Sequence, residues 1–115
     1  MSDFTTEPRA ARYAWVIIQD LDNPYDEDPN GLALPTRVGL SGPSQATEEQ
    51  VLRALRNGAF FRLRDDDGNV YYLGRCWCAD GRGGPEMFGP LEDWGHADVG
   101  ATEIQYRVGG RWETL

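Results

Sequence analysis

The sequence predicts an α+β domain: a mainly antiparallel, curved sheet of five or six strands with one helix. Three observations carry that prediction. Aromatic and β-branched residues gather in short runs near 12–21, 59–64, 70–78, 102–108 and 111–115, which is strand composition. Only 47–57 combines a helix start signal with helical periodicity. At 115 residues the chain can bury one modest core and not two. So many strands in so short a chain also fit a small, partly closed barrel, which is the alternative.

Taken in order, residues 1–11 are polar and form a flexible N-terminal arm ahead of a single domain over 12–115. Arg12 to Leu21 is the first strand. Both parities are apolar between Tyr13 and Ile18, so it sits centrally, with one face on the main core and the other partly covered. Asp22 to Gly31 has two prolines and no basic residue, the composition of an exposed acidic loop. Thr36 to Leu40 reads as a short strand paired with the first. Thr47-Glu48-Glu49-Gln50 is a capping box, in which the threonine hydroxyl accepts from the Gln50 amide while the glutamine side chain reaches back. The helix runs from Glu48 to Asn57, with Val51, Leu52 and Leu55 as its buried stripe. Glu49 and Arg53 pair on the wet side, and Gly58 supplies a left-handed cap.

Ala59 to Cys78 is a β-hairpin, two aromatic-rich runs around Asp65-Asp66-Asp67-Gly68-Asn69. Its register decides which side chains go inside, because a slip of one residue exchanges the faces. A two-residue Asp67-Gly68 turn sets Leu63 beside Tyr72 and Arg62 beside Leu73, mixing charge with apolar surface. A three-residue loop, Asp66-Asp67-Gly68 with positive φ at the glycine, pairs Leu63 with Tyr71 and Phe61 with Leu73 and puts all four on one face. The second register is preferred. It leaves Phe60, Arg62, Arg64, Val70 and Tyr72 outside, and a bulge at Gly74 then turns Cys76 and Cys78 inward.

Ala79 to Glu86 is too rich in glycine for regular structure and reads as a loop. Phe88 to Gly95 reads as one helical turn, with Pro90 near its start and Gly95 at its exit. Thr102 to Val108 alternates, with Ile104, Tyr106 and Val108 on one face. Gly109-Gly110 reverses the chain into a last strand, Arg111 to Leu115, that includes Trp112.

The formal net charge is -8, and every one of the basic residues is arginine. That balance disfavours direct binding to nucleic acid, which draws on phosphate neutralisation, and it permits mimicry of nucleic acid. The longest apolar run, Ala14 to Ile18, is far short of the ~20 residues of a membrane span. Because the N-terminus lacks a basic start and an apolar centre, a cytoplasmic location is expected. Two cysteines in such a chain are expected to be reduced.

Motifs for chemistry are weak. Cys76 and Cys78 with His96 and Asp80 or Asp98 assemble on paper into a metal site, but structural zinc uses Cys-x2-4-Cys and a second ligand pair. Two small buried thiols are the simpler reading. The Asp65 to Gly68 run lacks the ligand spacing of a calcium loop and fits a turn. His96, the only histidine, is tied to no serine or cysteine by a known motif. No catalytic residue, no metal and no cofactor are therefore expected.

The segments Tyr13 to Ile17, Leu63 to Arg75, Phe88 to Leu91 and Gly100 to Tyr106 together resemble small proteins of GC-rich Gram-positive bacteria, the actinobacteria, and of their phages. The resemblance implies a bacterial or phage setting and brings no activity, cofactor or catalytic residue. Together these readings predict a non-enzymatic accessory or regulatory factor that binds a protein partner or a second copy of itself. The expected surface is Phe60, Arg62, Arg64 and Tyr72, an aromatic-arginine mixture of the kind interfaces enrich. The alternative is an acidic nucleic-acid mimic that inhibits a nucleic-acid-processing protein.

Overall fold

The computed structural model describes residues 11–21, 36–79, 81 and 84–115. The acidic loop Asp22 to Gly31, and the N-terminal arm apart from Ala11, lie outside the described residues. Six strands form one antiparallel sheet: β1 (Tyr13–Asp20), β2 (Ser41–Gly42), β3 (Ala59–Arg64), β4 (Val70–Cys78), β5 (Glu103–Val108) and β6 (Arg111–Thr114). Their order is β2-β1-β4-β3-β5-β6, so β2 and β6 are free edges. The sheet is open, and the barrel alternative does not apply.

Helix α1 (Glu48–Asn57) begins at the expected capping box. The Gln50 amide donates to the Thr47 hydroxyl at 3.1 Å, and the Thr47 amide donates to the Gln50 side chain at 3.0 Å. Such a cap stabilises by about 1 kcal/mol. The helix packs on β1 and β4, where Ala14, Val16 and Ala54 are buried against Val51 and Trp77. The stripe differs from expectation, since Leu52 and Leu55 are 40% and 45% exposed and the contact runs through Ala54 and Val51. A small residue at the point of closest approach lets the helix lie low on the sheet, leaving the leucines above the contact. Gly58 is extended rather than left-handed because the chain passes directly into β3. It is there for space: a Cβ would meet the Ala54 carbonyl oxygen at 2.5 Å and the Cys76 backbone at 3.0 Å.

The turn of the β3-β4 hairpin is the expected one. Asp65 and Asn69 close it through the Asp65 amide and the Asn69 carbonyl at 3.1 Å, Gly68 has φ +85°, and Arg64 pairs with Val70. The register then shifts between Leu63 and Arg64, so Leu63 faces Tyr72, and Phe61 faces Gly74. The bulge falls at Tyr71 and not at Gly74, which overturns the expected facing of Tyr71, Tyr72 and Leu73. Two interactions account for it. The Tyr71 hydroxyl leans back to donate to Asp65 at 2.8 Å, and Tyr72 enters the core, its ring 4.6 Å from that of Trp94 and its hydroxyl donating to Asp98 at 2.6 Å. Gly74 instead makes room for aromatic packing, since a Cβ there would lie 2.5 Å from the Phe61 ring and 2.4 Å from the Val16 carbonyl oxygen. Because the shift precedes Gly74, Cys76 and Cys78 still point inward, as expected.

Residues 85–99 form a bent helical segment, Pro85–Phe88, Leu91–Gly95 and His96–Val99 being turns of different pitch. The expected single turn is too short. Gly95, the expected exit, is a point of contact, as is Gly89: a Cβ would meet the Leu63 side chain at 2.7 Å and the Tyr13 ring at 2.3 Å respectively. Pro90, fully buried, lacks the amide that would continue a regular helix, which accounts for the bend. The segment roofs the inner sheet face over Trp15, Ile17, Phe61, Leu63, Tyr72 and Ile104, and Asp93 ties it to β1 by accepting from the Tyr13 hydroxyl and the Trp15 indole.

The expected strand over Thr36 to Leu40 is a turn, and β2 begins one residue later. Its partner is β1, as expected. Asp20, buried at the end of β1, accepts from the Arg37 amide at 2.9 Å, while Gly39 and Leu40 bond β1 through the Ile17 carbonyl and amide at 2.8 Å each.

Candidate functional site

Alternation along β3, β4, β5 and β6 sends a second set of side chains to the outer face of the sheet. Helix α1 covers that face over β1 and β4. Beyond it, Phe60, Arg62 and Arg64 of β3 stand beside Arg75 of β4, Glu103, Gln105 and Arg107 of β5, and Trp112 and Thr114 of β6. The charges are unbalanced: Arg62, Arg64, Arg75 and Arg107 against Glu103.

These side chains hold one another. The Arg75 guanidinium lies over the Phe60 ring at 4.1 Å, and Arg62 and Arg107 lie over Trp112 at 4.5 and 5.6 Å. Arg62 also donates to the Gln105 side chain at 2.7 Å, and Arg64 pairs with Glu103. Gln105 donates in turn to Thr114 at 2.9 Å. Burial, and next the neighbouring Arg64, lower the Arg62 pKa from its ordinary value, with Glu103 opposing. Arg62, Arg75 and Arg107 are thus held over aromatic rings, each contact worth about 0.5–1 kcal/mol where exposed. At its end a polar groove of about 260 Å³ opens between Arg64, Glu103, Thr114 and the hairpin turn.

Of the expected surface, Phe60 is on this face and 38% exposed, and Arg62 and Arg64 are half-buried there. Tyr72 is not. It is 1% exposed on the inner face, a direct consequence of the bulge at Tyr71. Sequence reasoning missed Arg107 and Trp112. The Gly109-Gly110 reversal was enough to bring Arg107 opposite Trp112, but placing that pair beside Arg62 requires knowing that β5 runs along β3.

The other candidates have partners of their own. His96 Nδ1 is 3.1 Å from the Ala101 carbonyl oxygen, and Asp98 accepts from Tyr72 and faces Arg37 at 3.6 Å. Asp80 lies outside the described residues. Asp65 is occupied by the turn, accepting from the Asp67 and Asn69 amides at 2.9 Å each, and its pKa is held down at about 2 by the Tyr71 and Asn69 hydrogen bonds. Cys76 and Cys78 are buried and reduced, and the Cys78 thiol, followed by burial, pushes the Cys76 pKa up, away from a nucleophilic thiolate. Among the described residues no group of three or more His, Cys, Asp or Glu side chains converges.

Comparison with protein-family models, with curated proteins and with solved structures finds no match. Among the described residues no helix is long and apolar enough to cross a membrane.

Proposed function

We propose that the chain is a non-enzymatic binding protein, an accessory or regulatory factor, whose outer sheet face receives an acidic protein partner. The observation that carries this reading is the half-covered face. Helix α1 packs over β1 and β4, while the part over β3, β5 and β6 presents Phe60, Arg62, Arg107 and Trp112 in stacked geometry. Arginine and aromatic residues dominate interface anchors, and side chains already held in place lose less entropy when a partner docks. Charge complementarity selects an acidic partner. The chain's own charge of -8 makes a second copy an admissible one. A non-catalytic role is supported by the raised pKa of the buried Cys76. The mimicry alternative rests on Asp22 to Gly31, outside the described residues, and no described feature favours it.

The test uses Phe60→Ser combined with Arg107→Glu, two exposed positions of the array. Each exposed change should move stability by about 0.5 kcal/mol at most, while loss of an anchor costs ~2 kcal/mol of binding, roughly thirtyfold in affinity. Parent and variant serve as bait for the same lysate, with sedimentation run in parallel to read self-association. Loss of the captured acidic protein, or of the dimer, from a variant that melts like the parent supports the reading. Equal capture and equal sedimentation move the site elsewhere.

A further inference from the structure

Below the sheet's other face, three sulfur atoms meet. Cys76 Sγ is 4.0 Å from Cys78 Sγ, and Cys78 Sγ is 3.4 Å from the thioether of Met87. The cysteines share a face because they are two apart on β4, and Met87 reaches them from the first turn of the bent helical segment. That turn is fixed by the Tyr106 hydroxyl, which donates to the Met87 carbonyl at 2.7 Å. All three residues are buried, and all three line a cavity of about 140 Å³ that opens beside Ala59 and Gly81.

We infer that Cys76, Cys78 and Met87 form a binding site for a soft monovalent metal ion, Cu(I). Two thiolates and a thioether are soft donors that favour Cu(I), with the Tyr106 hydroxyl beside Cys76 a hydrogen-bond partner of that sulfur. The Cys76–Cys78 separation suits it: an ion held in a plane of three sulfurs, each about 2.3 Å away as in metal-thiolate bonds, needs sulfurs about 4.0 Å apart, as these two are. A small rotation of the Met87 side chain, which is unbranched and adaptable, opens its separation from Cys78 toward that value. Binding replaces the two thiol protons by one cation, so a neutral pair of thiols becomes a site of net charge -1 and two protons leave to solvent. Zinc is the poorer occupant because a structural zinc site takes four ligands. The sequence pointed to the two cysteines, and the thioether of Met87, nine residues beyond Cys78, is the donor it did not single out.

The test is competition for Cu(I) against bathocuproine disulfonate under anaerobic, reducing conditions, with folding followed by circular dichroism. The parent should withdraw one Cu(I) per chain from the chelator and stay folded. Met87→Leu, which keeps volume and removes only the thioether, should melt like the parent and hold Cu(I) at least tenfold more weakly. Cys76→Ala with Cys78→Ala should take none. X-ray absorption of the loaded parent should show sulfur neighbours only. If the parent leaves all the copper with the chelator, or if Met87→Leu binds as tightly as the parent, the inference is overturned.

Discussion

Tyr72→Ala should be among the most damaging substitutions in the domain. The ring is 1% exposed, lies 4.6 Å from Trp94, which itself stacks on Trp15, and carries a hydroxyl that donates to Asp98 at 2.6 Å. Truncating a buried aromatic side chain costs about 3–5 kcal/mol, because transfer energy is lost and the surrounding rings cannot close the hole. Domains of this size are stable by only about 5–15 kcal/mol, so the loss is a large share of the total and approaches all of it at the low end. Tyr72→Phe keeps the ring and should cost about 1 kcal/mol, since Asp98 retains Arg37 at 3.6 Å. The half-buried Tyr71, replaced by Ala, should cost less than Tyr72→Ala. Urea unfolding followed by tryptophan fluorescence gives all three values. In the register without a bulge at Tyr71 the order of the two alanine variants reverses, so a Tyr72→Ala protein within about 0.5 kcal/mol of the parent would refute the bulge.

Gly74→Ala forces a Cβ to within 2.4 Å of the Val16 carbonyl oxygen and 2.5 Å of the Phe61 ring, and should destabilise by about 1–3 kcal/mol in the same assay. A neutral result would mean that the β1-β4 crossing is looser than described. Asp65, whose folded pKa is depressed to about 2 from an unfolded value of about 3.9, adds stability that is fully present above the unfolded value and lost as pH falls through the folded one. The stability gap between parent and Asp65→Asn should therefore be open at pH 7 and narrow between about pH 4 and pH 2. A gap that stays constant across that window contradicts the hydrogen-bonded turn.

Local signals in the sequence were read well, and long-range ones were not. The capping box at Thr47 and Gln50, the positive φ at Gly68 and the Gly109-Gly110 reversal are set by neighbouring residues, and each formed where expected. The strand composition likewise gave the antiparallel α+β class. The hairpin register failed because the shift at Tyr71 depends on partners far along the chain: Trp94 and Asp98, which receive Tyr72. Gly95 is not an exit for the same reason, since the Leu63 side chain it makes room for lies on a strand remote in sequence. The candidate face was half readable. Phe60, Arg62 and Arg64 share a strand face in any register that keeps β3 extended, whereas Arg107 and Trp112 join them only through the β3-β5 pairing.

The claim that the outer face is the working surface is tested most directly by side-chain NMR. The captured acidic partner is titrated into labelled protein, or, for a self-associating chain, the protein concentration is raised. The account predicts that the Trp112 indole and the Arg62 and Arg107 Nε-H signals shift and broaden with added partner. The Trp15 indole, which donates to Asp93 at 3.0 Å on the opposite face, should stay in place. Movement of the Trp15 signal with Trp112 and the arginines unchanged would contradict it.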